Sequence, residues 1–347
     1  MKPLRIGFLL PGNFALAHAG NGVRVQAERQ IEALAALGHT VLRLDPWTPL
    51  ARDGLDVLHF FSGGFPHYRV APILRMVSPR CRLVFSPIID SNVANLPYRL
   101  AVALGRLHPK LFTIPGELAT QAREADAVVC RSAFEQQRVV RGLGVPAGKA
   151  HIVLNGVSPP RPDADADAAR LRFKLPQDFC LHVSAYTQPR KNVERLIRAV
   201  GPLGLPLVIA GIATDPAHKA KLEDLARPYP GIFFLDYLDP EWRDSLYAAA
   251  RVFCLPSEHE GTGLVALEAA SYGAAIVITR NGGPRDYFGE LAEYADPESV
   301  EDIRAAVQRA WQAPRTDRLR RHVNGQLSWR QSAESLLRVY GAADDGG

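Results

Sequence analysis

Glu260 and Glu268 stand with seven residues between them, and that interval opens with Gly261, Thr262 and Gly263. The stretch starts as apolar Phe253-Cys-Leu, breaks at Pro256, carries Glu258 and Glu260 through a short loop, and resumes as Leu264-Val-Ala-Leu. This order predicts a buried strand, a loop, and a helix whose first turn lies at the glycines. Unpaired N–H groups at a helix start, with the helix dipole behind them, make a seat for a phosphate. Carboxylates on either side accept hydrogen bonds from sugar hydroxyls, a combination that suits a nucleotide-linked sugar. The plainer alternative is a strand–turn–helix with solvated acids. Arg190 and Lys191, adjacent cations just ahead of a helix from Val193, can meet a diphosphate, although such pairs are also common on surfaces. Gly20-Asn21-Gly22 precedes a helical run from Val23 to Leu37. It lacks the third glycine of a dinucleotide fingerprint and the Gly-Lys-Ser/Thr of a P-loop, so alone it is a weak phosphate signal.

Two runs of alternating strands and helices must position these groups. Near-continuous apolar runs at Leu4–Leu10, Val41–Leu44, Asp56–Phe61, Arg82–Ile89, Ala127–Cys130 and His151–Leu154 read as buried strands, with helical patterns between them. A second series follows at Phe179–Ser184, Leu207–Gly211, Ile232–Leu235, Val252–Leu255 and Ala275–Ile278. The expected fold is α/β, two doubly wound Rossmann-like domains, with ligands at strand carboxyl ends and in a cleft between the domains. The boundaries read as a first domain over 1–158, a linker and domain entry over 159–178, a second domain over 179–325, and a terminal helix and tail over 326–347. Asp163-Ala-Asp-Ala-Asp167 follows a proline-rich segment and reads as linker and helix N-terminal charge rather than a metal motif.

The 347 residues, 47% hydrophobic and 22% charged, fit a folded two-domain protein. The apolar N-terminal run is too short for a signal-peptide core, and no stretch approaches the ~20 apolar residues of a membrane span, so a cytosolic protein is expected. Four scattered cysteines without CxxC spacing read as buried hydrophobes, with neither metal nor disulfide. Residues 1–158 hold 18 Lys+Arg against 10 Asp+Glu, and residues 159–347 hold 23 against 26. The basic first half suits an anionic membrane or a phosphorylated substrate. Few aromatics interleave with its bases, which argues against nucleic acid.

Together the motifs resemble the family-4 retaining glycosyltransferases of the GT-B fold over nearly the whole chain. The resemblance runs through Asn21-Gly22, Gly38-His-Thr-Val41, Ala125-Asp-Ala-Val-Val129 with Ser132, and Asn155-Gly-Val157. It continues through Pro189-Arg-Lys-Asn192, Ile209-Ala-Gly211 and Leu255-Pro-Ser257, and is strongest at Glu260-Gly-Thr-Gly-Leu264 with Glu268. Gly282-Gly-Pro284, Tyr294-Ala-Asp-Pro297 and Ser328-Trp329 with Tyr340 complete it. It implies a terminal helix that crosses back onto the first domain. It further implies that Glu268 holds the ribose, Glu260 the donor sugar, and Lys191 with Arg190 the diphosphate. The amides of Gly263 and Leu264 assist, Thr262 borders the sugar, Gly22 admits the distal phosphate, and Tyr237 and Leu238 line the base. The implied reaction is metal-independent transfer with retention from a UDP-, GDP- or ADP-sugar to an acceptor hydroxyl, without a further cofactor. The leaving phosphate takes the proton, so no protein base is nominated.

The chain departs from the family at several points. Ser184-Ala185 stands where an Arg is frequent, Thr262 where Phe is common, and Asp286 where Glu is. Ser86-Pro87 replaces a His near the reacting sugar; Ser86 and Asp90 become the acceptor candidates, with His59 and His67 nearby. The basic first domain suits a lipid-diphosphate acceptor of surface polysaccharide or glycolipid assembly, with peripheral contact at the inner face of an anionic membrane. A soluble acceptor, a sugar-nucleotide epimerase on the same fold, a much longer phosphorylase and a non-enzymatic sugar-binding protein are the rival readings.

Overall fold

The computed structural model describes residues 2–12, 21–45, 54–62, 70–107 and 112–341. Two compact units divide the chain, one from 1–156 with 329–347 and the other from 157–328.

The first unit contains β1 (Arg5–Leu9), α1 (Gly22–Ala36), β2 (Thr40–Arg43), β3 (Val57–Phe61), α2 (Val70–Val77) and β4 (Arg82–Ser86). It continues with α3 (Asn95–Leu107), α4 (Ile114–Glu124), β5 (Ala127–Cys130), α5 (Ala133–Gln137) and β6 (Ala150–Ile152). The strands form one sheet in the order β2-β1-β3-β4-β5-β6, with parallel pairing throughout. β3 and β5 are buried at every position, which is why their sequences carry no polar alternation. One face packs under α2, α3 and α4 through Leu74, Val102, Leu118 and Ala122. After β5 comes α5, capped by Ser132, and it is followed by a π-turn over Arg138–Gly142.

The second unit contains α6 (Ala166–Phe173), β7 (Cys180–Ser184), α7 (Val193–Val200), β8 (Leu207–Gly211), α8 (Pro216–Ala226), β9 (Ile232–Leu235) and α9 (Pro240–Ala249). Next come β10 (Val252–Leu255), α10 (Leu264–Tyr272), β11 (Ala275–Thr279), α11 (Pro284–Phe288), β12 (Glu293–Ala295), α12 (Val300–Gln312) and α13 (Arg318–Gln326). Its sheet runs β12-β11-β10-β7-β8-β9, again all parallel. Within residues 159–178, α6 packs on α9. Asp165 caps α6 by accepting from the amides of Asp167 and Ala168, and Asp163 pairs with Arg161. All four cysteines are buried thiols.

The last helix, α14 (Trp329–Gly341), belongs to the first unit. Ala333, Leu336 and Tyr340 share a core with Ile6, Phe8, Ala27 and Leu34, on the sheet face that α1 covers. His59 on β3 sits in this core, with Nδ1 2.7 Å from Tyr340 Oη and Nε2 2.8 Å from Ser86 Oγ. Tyr340→Phe strands a buried ring nitrogen and should cost about 1–3 kcal/mol in denaturant unfolding. No loss in that assay would remove this contact as an anchor of α14.

Candidate active site

The loops after β7 and β10 run side by side because those strands are neighbours at the centre of the sheet. Three contacts stitch them together, and a fourth, from Asn192 to Pro297, ties them to the stretch after β12. Glu258 N–H donates to the Arg190 carbonyl at 2.9 Å. Asn192 Nδ2 donates to the carbonyls of Pro256 (2.8 Å) and Pro297 (2.7 Å). Lys191 Nζ lies 2.6 Å from Glu260 Oε1, with each side chain only 11% exposed. Asn192 adopts the left-handed conformation at φ 60°, which Asn tolerates better than most residues. That turn ends the Pro189–Lys191 3-10 segment and starts α7.

Glycine geometry fixes Glu260. Its N–H donates to the Asn281 carbonyl at 3.3 Å, and its carbonyl accepts from Gly283 N–H at 3.0 Å. Between them Gly282 has φ +101°, and a Cβ there would stand 2.0 Å from the Glu260 carbonyl oxygen. Gly282→Ala must therefore displace the Glu260 loop. We expect a loss of about 2–4 kcal/mol, the range for strain and overpacking combined, and a larger loss of activity than of stability. Unchanged unfolding midpoint and kinetics would refute this placement. Gly263, at φ +77° before α10, is also confined, since a Cβ would meet Ile278 Cδ1 at 2.9 Å.

Burial alone would raise the Glu260 pKa, but the Lys191 ammonium and its hydrogen bond outweigh it and hold the carboxyl below its ordinary value. The site therefore keeps an ion pair at neutral pH. Glu268 lies one turn into α10, where Tyr247 Oη donates to its Oε2 at 3.0 Å and Arg243 Nε stands 3.9 Å away. Burial, with the Glu268 charge behind it, pushes the Tyr247 phenol well up, so Tyr247 stays a donor. Thr262 Oγ1 donates to Tyr287 Oη at 3.2 Å in the interior. Arg190 and Tyr237 are exposed and Leu238 is half-buried. The Tyr237 loop is tied down by Asp236, which accepts from Lys219 Nζ at 2.7 Å and Tyr186 Oη at 3.5 Å.

Ser184, at the carboxyl end of β7, is held from behind. His182 Nδ1 faces the Cys254 carbonyl at 2.8 Å, and its Nε2 faces Ser184 Oγ at 2.7 Å. A carbonyl only accepts, so Nδ1 carries the proton and the Ser184 hydroxyl donates to Nε2. Burial lowers the pKa of His182 to about 4 and that of His59 to about 3. The unfolded chain protonates both near 6.5 and the folded chain does not, so stability is full above that pH and falls as pH drops toward 4. The expected loss is on the order of 3 kcal/mol per histidine, read as Tm against pH. A flat profile between pH 6.5 and 4 would contradict it.

The remaining candidates lie in the first unit. Asn21 caps α1, its Oδ1 accepting from Val23 N–H (3.0 Å) and Arg24 N–H (3.3 Å), and Gly22 opens the helix. Ser86 is buried against His59. Asp90 is the more accessible of the two acceptor candidates and pairs with Arg131 at 2.8 Å, which in turn pairs with buried Glu135. Asp286 is exposed on α11. Gly20 and His67 lie outside the described residues. Among the described residues no group of three or more His, Cys, Asp or Glu could hold a metal ion.

Sequence reading did not find His182, Arg243, Tyr247 or the Gly282 contact with Glu260. Gly282-Gly283 was visible as a motif, but a tyrosine inside an amphipathic helix gives no sign of facing a carboxylate from another helix.

The two parallel-sheet units are those of the GT-B glycosyltransferase fold. The Anabaena HepE protein, solved in complex with UDP, superposes with a TM-score of 0.68 at 14% identity, covering 98% of this chain and 100% of that one. Residues 163–325 match the family described as "Glycosyl transferases group 1". The chain is 27% identical over 241 residues to O-antigen chain mannosyltransferase B of Escherichia coli, covering 62% of this chain and 63% of that one. It is 32% identical over 262 residues to D-inositol 3-phosphate glycosyltransferase 1 of Catenulispora acidiphila, covering 67% and 61%. It thus spans under two thirds of the length of each of these relatives.

Proposed function

We propose that this chain is a retaining, metal-independent family-4 glycosyltransferase that moves a sugar from a nucleotide-sugar to an acceptor hydroxyl in surface polysaccharide or glycolipid assembly. The observation that carries this reading is the nearly buried Lys191–Glu260 pair in the loops just ahead of α10, with Glu268 one turn inside that helix. Glu268 takes the ribose hydroxyls and Glu260 a hydroxyl of the donor sugar. Lys191 and Arg190 neutralise the diphosphate as the glycosidic bond to it breaks, with the first N–H groups of α10 behind them. Preformed charge in a water-poor site stabilises a leaving group without reorganisation. A protein base is not required, because the departing phosphate oxygen accepts the acceptor's proton on the same face.

Residues 179–325 would bind the donor, with Tyr237 and Leu238 against the base, and residues 1–158 the acceptor. Gly22 would admit the distal phosphate. Asp90 would be the acceptor contact in preference to Ser86, whose hydroxyl His59 engages. The O-antigen chain mannosyltransferase supports a polysaccharide chain as acceptor, and the basic first half fits one carried on a lipid diphosphate. The inositol phosphate relative supports a second reading, a small phosphorylated acceptor, which a basic first half also fits.

The test is incubation of the chain with UDP-, GDP- and ADP-sugars in EDTA, with either a lipid extract or inositol phosphate as acceptor. Proton NMR of the product should show the donor's anomeric configuration. An inverted product, or transfer only with added divalent metal, would contradict the mechanism.

A further inference from the structure

The first unit leaves a row of large apolar side chains facing outward. On α3 the inward positions Tyr98 and Val102 pack against the core, yet Leu96, Leu100 and Leu104 are 61%, 57% and 51% exposed. Spacing of four residues puts these leucines in one stripe, about 12 Å long at 1.5 Å per residue. The chain then folds back on α3: Thr113 Oγ1 donates to the Ala101 carbonyl at 3.0 Å. On either side of that contact stand Phe112 and Ile114, 63% and 52% exposed. Leucine is a costly residue to leave in water, and single exposed ones are ordinary, but a contiguous set marks an interaction surface.

Charge identifies what covers it. Residues 57–116 hold seven Lys+Arg and a single acid, Asp90, and Asp90 is engaged by Arg131. Exposed Arg99 borders the leucine stripe. Arg75 is neutralised by Asp126, but the stretch stays net positive, and a second copy would bring it against itself, which disfavours self-association. We propose that the outer face of α3, with the Phe112–Ile114 turn, docks on an anionic lipid bilayer. The helix lies in the plane of the interface, its leucines in the boundary between headgroups and acyl chains and Arg99 against lipid phosphates, as amphipathic interfacial helices do. This deepens the lipid-linked part of the proposed function by naming the surface that brings the enzyme to its acceptor.

The experiment is flotation of the full chain with phosphatidylglycerol–phosphatidylcholine vesicles and with phosphatidylcholine alone, at low salt. Wild type should float with the anionic vesicles only. The double variant Leu100→Gln/Leu104→Gln should lose at least about tenfold in partitioning, and Arg99→Gln about fivefold. Circular dichroism and the thermal shift with UDP, GDP or ADP, measured on the same variants, should be unchanged, which separates failure of docking from failure of the donor site. Absence of wild-type flotation with anionic vesicles overturns the proposal. So does undiminished flotation of the double variant. A wild-type dimer that this variant converts to monomer assigns the stripe to a second copy, and overturns it as well.

Discussion

Lys191→Ala is expected to reduce kcat/KM by roughly 10²-fold or more, the scale of losing one strong contact to a developing charge. The same change should cost about 3–5 kcal/mol of stability, because it leaves Glu260 buried without its cation. Desolvation of Glu260 is then opposed only by the Ser257 hydrogen bond and the Arg190 charge, so the downward pull on its pKa weakens. In the wild type the lowered pKa contributes stability above the ordinary carboxylate range, lost as pH falls through the folded value; in the variant that contribution shrinks. A paired substitution, Lys191→Met with Glu260→Leu, separates the two effects. Replacing both ions by apolar groups of similar size is often neutral or stabilising, so the double variant should regain its unfolding midpoint while remaining inactive. Near-normal kinetics in either variant would remove Lys191 from the diphosphate role.

Glu268→Ala should weaken nucleoside diphosphate binding by about 1.5–3 kcal/mol, the range for hydrogen bonds to a charged group, or roughly 10–150-fold in Kd. It also removes the acceptor of the buried Tyr247 hydroxyl, a further cost of about 1–3 kcal/mol in stability. Glu268→Gln keeps an oxygen for Tyr247 and should recover most of the Tm but only part of the affinity. Calorimetry showing unchanged affinity in the alanine variant would refute the ribose assignment. An affinity loss that follows the Tm loss in both variants would mean that Glu268 only supports the fold.

The fold was legible where burial imposes a strong local signature. Strands buried on both sides read as apolar runs, and β8 and β10 occur where the sequence places them. Elements without such a signature were missed. α11 has five residues and β12 three, too short for periodicity, and α13 is mostly polar, with only Leu319 and Val323 buried. The π-turn after α5 was invisible because its register depends on tertiary contact, Arg138 standing 4.6 Å over the Tyr98 ring. Within the site, Lys191, Glu260 and Glu268 were legible because charged residues beside glycines and apolar runs are chemically unusual. Their supports were not. The need for glycine at 282 follows from a carbonyl 22 positions earlier in the chain, and the proton on His182 Nδ1 follows from a carbonyl in the neighbouring strand. Ser86 illustrates the converse: a serine at a strand end looks available in sequence, and its availability depends on His59 across the sheet.

The reading rests on a nucleotide seat organised by Lys191, Glu260 and Glu268. Isothermal titration of UDP, GDP and ADP into the chain in EDTA tests that seat most directly. One of the three is expected to bind one-to-one in the absence of metal, with an affinity that falls in both Lys191→Ala and Glu268→Ala. Binding of none of the three, or binding indifferent to both substitutions, would contradict it.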